Sequence, residues 1–190
     1  MIGKINVTIR GVSPLLMNQD TGERPKIKDH SSPENKEREF QVAQYRDSKG
    51  VLMQPAEMLE KALEVAGGSF QFKGAKKYGK VLCGGVFIEP QEIPHKVITV
   101  KKVKFGEVEP FAKMVRIPPR TGARVMKTRA IIRDWELDFV INVVNDSINF
   151  DTLQDIVTAA GAFNGIGDWR PKYGRFEVIK FEKQKEKKNG

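Results

Sequence analysis

Cysteine is nearly absent. Cys83 stands alone among 190 residues, which excludes an intrachain disulfide and a cysteine zinc cluster and fits a reducing, cytoplasmic compartment. Histidine is almost as scarce: a ribonuclease built on paired imidazoles would have to recruit both His30, in a polar stretch, and His95, beside Pro94. No apolar run approaches the ~18 residues of a membrane span, and Met1-Ile-Gly-Lys-Ile-Asn-Val lacks an apolar signal core, so neither insertion nor secretion is expected. No ligand-type residues have metal-site spacing, and no metal or other cofactor is expected.

Positive charge is what the chain has in excess. Lys and Arg number 33 against 24 Asp and Glu, leaving a formal charge of +9, and a polyanion is the partner such a balance implies. At 39% hydrophobic content the chain can bury one good core. A single domain over residues 1–182 is expected, with a disordered charged tail at 183–190.

Apolar residues alternate over residues 4–10, with Ile5, Val7 and Ile9 on one face, and again over residues 135–143, where Trp135, Leu137, Phe139, Ile141 and Val143 line one side; both predict half-buried strands. Pro55, Glu57 and Glu60 suit a helix start, and Met58, Leu59, Ala62, Leu63 and Ala66 form a stripe that ends at Gly67-Gly68, predicting a helix over 55–66. After Asn149 or Asp151 as a cap, Leu153, Ile156, Val157 and Ala160 predict a second helix. Residues 81–88, 96–103 and 175–181 read as extended. Residues 18–39, nearly all polar with Pro25 and Pro33, read as a mobile loop. The resulting order is strand, helix, strand, strand, helix, strand with a long insertion between the middle strands. This is an α+β chain of ferredoxin-like, RRM-like βαββαβ order.

Two stretches concentrate chemistry. Between residues 112 and 133 the chain carries Lys113, Arg116, Arg120, Arg124, Lys127, Arg129 and Arg133 and no acidic residue, whereas an ordinary solvated face mixes signs. Pro118-Pro119 and Gly122 argue for a hairpin or protruding arm within an insertion over 90–133. The second stretch joins Gly165 and Gly167 to Trp169, Arg170, Lys172, Tyr173 and Arg175. Its glycines let backbone amides approach a phosphate, its cations neutralise charge, and Trp169 or Tyr173 either stacks on a base or fills the core beneath. Gly74-Ala-Lys-Lys-Tyr-Gly79-Lys80 has P-loop spacing, but Val81 stands where Ser or Thr must hold Mg²⁺ and no helical pattern follows, which excludes an NTPase.

Gly165-Ile-Gly167 followed after five residues by Tyr173-Gly174-Arg175-Phe176, ahead of the last strand, resembles the RAMP superfamily (repeat-associated mysterious proteins), which supplies RNA-binding subunits of CRISPR effector complexes. Ile9-Arg-Gly-Val-Ser-Pro-Leu-Leu-Met17 is similar to the exit from the first strand in that superfamily. The two motifs cover the ends of the chain, and Asp168 and Pro171 stand where small or basic residues are usual. The stretch from Gly167 through Phe176 also resembles stand-alone proteins of phages and mobile elements.

The resemblance implies a subunit that grips single-stranded RNA, guide-like, or single-stranded DNA, and that repeats along the strand as a homo-oligomer or within a ribonucleoprotein, with residues 90–133 as a thumb. It does not require catalysis. In some RNA-targeting backbone subunits an aspartate in the loop after the first strand cleaves RNA with a divalent metal, which makes Asp20 and Asp29 candidates alongside His30 and His95. A superfamily endoribonuclease, a phage single-strand-binding or annealing protein, and a structural oligomer are the competing readings.

Overall fold

The alternation at the start of the chain becomes β1 (Gly3–Gly11), with Ile5, Val7 and Ile9 all buried, in a computed structural model that describes residues 3–19, 31–100, 103–117, 120 and 122–184. There follow β2 (Leu15–Met17), α1 (Pro33–Val42), β3 (Met53–Pro55), α2 (Ala56–Gly67), β4 (Gln71–Lys73), β5 (Lys76–Lys77), α3 (Tyr78–Gly85), β6 (Val86–Glu89) and β7 (Glu92–Pro94). The chain continues through β8 (Thr99–Val100), β9 (Val103–Lys104), β10 (Val108–Ile117), β11 (Ala123–Ile132), β12 (Glu136–Val143), α4 (Phe150–Ala159), a π-helical turn (Ala160–Asn164) and β13 (Phe176–Lys183).

β1 lies at the centre of an antiparallel sheet of order β13-β1-β12-β6. Val7 faces Phe139 on one side and Phe181 on the other, and Ile9 faces Leu137 and Val178. This apolar face packs on α2 through Leu59 and Leu63 and on α4 through Leu153, Ile156 and Val157, all buried in one cluster. Fully burying an aliphatic side chain of this size contributes about 2 kcal/mol. The 3.6-residue stripes read from the sequence are therefore the faces the helices bury. α4 is capped as its sequence implies, Asn149 Oδ1 accepting from Thr152 N–H at 2.9 Å. Trp135 is fully buried at the Gly11 end of β1, its indole N–H donating to the Ser13 carbonyl at 2.9 Å.

A second sheet, β10-β11-β2, carries the basic run. β10 and β11 form a long hairpin, and β11 ends by pairing with β2, Ile131 opposite Leu16. The hairpin occupies a narrower span than 90–133: Glu92–Pro94 pairs with β3, and His95 bridges to Leu137.

Several local expectations are corrected. The polar segment 18–39 is not all loop, because Ser32 caps α1, its Oγ accepting from Asn35 N–H at 3.3 Å, and Pro33 takes the first turn where a proline needs no amide. Asp20, Asp29 and His30 lie outside the described residues. The apolar stretch 81–88 is a strand only from Val86. Before it α3 forms, because Gly67 and Gly79 let α2 and α3 touch backbone to backbone; a Cβ on Gly67 would stand 2.9 Å from Gly79 N. A helix does follow the P-loop-like stretch, but it begins before Gly79-Lys80 and still offers Val81 in place of a hydroxyl. Residues 96–103 give the two-residue strands β8 and β9 in place of a strand of the main sheet. β13 continues through Lys183, and 185–190 lie outside the described residues.

Candidate nucleic-acid interface

Residues directly opposed across an antiparallel pair share a face. On the β10–β11 hairpin one face therefore presents Phe111 with Arg129, Lys113 with Lys127 and Val115 with Val125, and the other presents Met114 with Met126 and Arg116 with Arg124. The root, Thr128 to Ile132, is buried, while Ala123 and Arg124 near the turn are exposed, so the distal half stands clear of the core. Arg120 occupies the turn at φ 75°. Lys113, Arg116, Arg120 and Arg124 are exposed and make no ion pair among the described residues.

The other three cations of the run are paired with carboxylates, two of them from distant parts of the chain. Lys127 Nζ lies 3.1 Å from Glu39, which also accepts from Thr128 N–H at 2.7 Å and so fixes α1 along the β11 edge. Arg129 Nε donates to Asp168 at 2.5 Å, and its guanidinium lies 4.3 Å from the centre of the Trp169 ring. Arg133 pairs with Glu109 at 3.0 Å on the surface. Lys127 and Arg129 hold the hairpin to the body and are not free to meet a ligand.

The loop at 165–175 meets the root of that hairpin. Trp169 is half-buried, with Lys113 Nζ 5.2 Å from its ring centre, Phe111 edge-on at 6.4 Å and Tyr173 tilted against it at 6.0 Å. Its φ of 54° is unusual for a bulky residue, and its N–H donates to Asp168 Oδ1 at 3.0 Å. Arg170, Lys172 and Arg175 are exposed beside it, Arg175 Nε donating to the Pro171 carbonyl at 2.9 Å. Hairpin and loop thus form one cationic surface around an aromatic cluster, and Trp169 belongs to that junction and not to the main core.

The glycines have a different role from the expected amide cradle. Gly165 (φ 66°) and Gly167 (φ 80°) occupy left-handed backbone, and a Cβ on Gly167 would stand 2.6 Å from the Leu16 carbonyl oxygen. The amides of Gly165, Ile166, Asp168, Lys172, Tyr173 and Gly174 donate to Ala160, Gly174, Leu16, Trp169, Trp169 and Pro14 carbonyls respectively, and Arg175 N–H donates to Ser13 Oγ. The loop is stitched to the β1–β2 turn, so Gly165 and Gly167 position cations and offer few amides. The pairing of Glu39 and Asp168 with the basic run carried no local signal, because the partners lie on other elements; Phe111, an aromatic opening that run, was the one hint of the ring cluster.

The sheet's far side is unlike that of a base-stacking RRM. The outward positions of the central strands are Lys4, Asn6, Thr8 and Arg10 on β1, and Glu136, Asp138, Val140 and Asn142 on β12, with no ring among them. Arg10 and Lys96 bind Glu136 at 2.7 and 2.6 Å, Lys96 also reaches Asp138, and Thr8 donates to Asp138 at 2.6 Å beside a shallow cleft of about 310 Å³. Burial opposes charge on both Lys96 and Glu136, but their mutual attraction, with Asp138 and Arg10, holds the lysine above and the glutamate below its ordinary value.

His95, a catalytic candidate in the sequence, is buried with neither ring nitrogen hydrogen-bonded. Burial depresses its pKa to about 4. Between pH 6.5 and 4 the unfolded chain accepts a proton there that the folded chain refuses, so stability present above pH 6.5 falls by about 3 kcal/mol across that window. Urea unfolding at pH 7 and at pH 4.5 measures the loss, and His95→Leu should flatten it; an unchanged slope in that variant would assign the loss to other groups. Among the described residues no group of three or more His, Cys, Asp or Glu is placed to hold a metal ion, and no helix is long and apolar enough to cross a membrane.

No protein-family model and no curated protein matches the chain. Among solved structures it is similar to a chain in the cryo-EM structure of the Type III-B Cmr-beta bound to cognate target RNA, with a TM-score of 0.57 and 13% identity over 95% of this chain. This protein spans 61% of the length of that chain, and at such identity the likeness is one of fold.

Proposed function

We propose that the protein is a single-stranded RNA-binding subunit of a ribonucleoprotein, built on a ferredoxin-like domain, that grips the phosphate backbone between the hairpin and the 169–175 loop. The ferredoxin-like reading rests on the strand order β13-β1-β12-β6, with α2 between β1 and β6 and α4 between β12 and β13. The observation that carries the binding reading is the pairing of Arg116 with Arg124 directly across the hairpin, beside Arg120 and without ion-pair partners among the described residues. Like charges opposed across a ladder destabilise it, so folding does not account for them and a polyanion does. The RNA held by the Cmr-beta structure and the resemblance to RAMP subunits favour RNA, held by its backbone, with sequence read through base pairing. Copies of the chain would then repeat along the strand. Cleavage forms no part of the proposal; of the catalytic candidates, His95 is buried.

Fluorescence anisotropy against a single-stranded RNA over a salt series tests the proposal. If Lys113, Arg116, Arg120, Arg124, Arg170, Lys172 and Arg175 all meet phosphates, log K should fall against log salt with a slope of about −5. Weak binding that ignores salt would favour a structural oligomer with an apolar interface.

A further inference from the structure

Another basic surface takes no part in the site above. Residues 65–88 contain no Asp or Glu, and Lys73, Lys76, Lys77 and Lys80 are exposed with no ion pair among the described residues. Glu64, just before this stretch, is held by Lys61 at 2.7 Å. Gly74 turns the chain at φ 55° and sets Lys73 opposite Lys76, while Gln71 Nε2 closes the turn on the Gly74 and Lys76 carbonyls. Lys73 Nζ lies 5.4 Å from the centre of the Phe72 ring, and that ring packs edge-on against the buried Tyr78 at 5.0 Å. The ribbon is thereby anchored to α3. Lysines facing one another across a ladder, with Lys80 in the first turn of a helix, all work against stability. Folding does not explain the cluster; an anionic partner does.

Its position sets it apart. Ala56 N–H donates to the Gln91 carbonyl and Ile88 N–H to Glu60, so α2 runs down the sheet and brings Gly67, packed on Gly79, to the end where Val86 faces Val143 and Val143 faces Gly3. The hairpin root and the 169–175 loop lie at the opposite end of β1, where Gly11 and Val12 N–H bond the Trp135 and Arg175 carbonyls. At ~3.3 Å per residue, β1 separates the two by roughly 25 Å.

We infer that the β4–β5 ribbon and Lys80 form a second phosphate-backbone site for single-stranded nucleic acid, so that one protomer holds two separated segments of strand. The inference rests on the RNA-binding reading above. A lipid surface fits less well, because the ribbon turn is Gly74-Ala75 and offers no large apolar side chain to enter a bilayer.

The test uses oligouridylates of about 6 and about 30 nucleotides, sized for one site and for both. It compares the wild-type chain with the quadruple variant Lys73→Ala, Lys76→Ala, Lys77→Ala, Lys80→Ala and with a variant carrying glutamate at 116, 120 and 124. The quadruple variant should bind the long strand at least about 10-fold more weakly, with a salt slope shallower by about 2 to 3, and bind the short strand within about 2-fold of wild type. Photo-crosslinks from the long strand should fall on residues 70–80, in the glutamate variant as well. If the quadruple variant keeps the wild-type affinity and slope while the glutamate variant loses them, the second site is refuted and the RNA-binding reading stands. If the wild-type chain binds neither strand, both fall. Lysines needed for binding phosphatidylserine vesicles or polyglutamate, with RNA affinity unchanged, also overturn the inference.

Discussion

Arg116→Glu, Arg120→Glu and Arg124→Glu introduced together should lower affinity for single-stranded RNA about 100-fold at about 0.1 M salt, because each lost phosphate contact removes about 0.7 of a log unit per decade of salt. Charge reversal adds repulsion to that loss. The salt slope should become shallower by about 2, across all sequences alike, since backbone contacts carry no base information. All three side chains are exposed and unpaired among the described residues, so the thermal midpoint should move by no more than a few degrees. Unchanged affinity would remove the hairpin from the interface. A large thermal shift would mean that the arginines support the fold.

Gly174→Ala should have the opposite profile, a severe loss of stability. Gly174 sits at φ 72°, and a Cβ there would fall inside the Ile166 carbonyl, whose own N–H bonds the Gly174 carbonyl at 3.0 Å. A non-glycine residue in left-handed backbone costs about 1–2 kcal/mol by itself, and forcing this backbone pair apart should bring the total to roughly 4 kcal/mol. Gly50 supplies the control: its φ is 80°, but nothing lies within 4 Å of its Cβ position. Gly50→Ala should therefore show only the conformational part. Urea midpoints for the two variants check the difference, and equal losses would show that the close approach of residues 166 and 174 is relaxed in solution.

The elements readable in the sequence are those whose one buried face leaves a periodic trace. Ile5, Val7 and Ile9 alternate because only one side of β1 meets the helices, and Leu153, Ile156 and Val157 recur because only one stripe of α4 meets the sheet. α3 was hidden because it depends on the contact of Gly67 with Gly79, a tertiary event that no local pattern announces. α1 carried its start signal, Ser32-Pro33-Glu34, but so little apolar content that the polar reading dominated. At the candidate site the basic run was plain, whereas the division into free and tied cations was not. Asp168 stands 39 residues from Arg129, and Glu39 lies 88 residues from Lys127. The glycine loop was found for its composition, yet its rigidity comes from the close passage of Leu16 and Pro14, which only the assembled fold brings near.

The placement of β1 between β13 and β12 governs how the chain can be made. Thr8 meets Asp138, 130 residues later, and its other ladder partner, Lys180, is later still. Emerging from a ribosome at ~5–20 residues per second, the first strand waits roughly 7 to 26 seconds with both hydrogen-bonding edges open. The main sheet therefore closes only once residue 183 has been made, and contacts of such sequence separation make that closure slow. During the wait Ile5, Val7 and Ile9 are available to any chaperone or neighbouring nascent chain able to pair with an open strand, so crowded polysomes are where this protein is most exposed to misassembly.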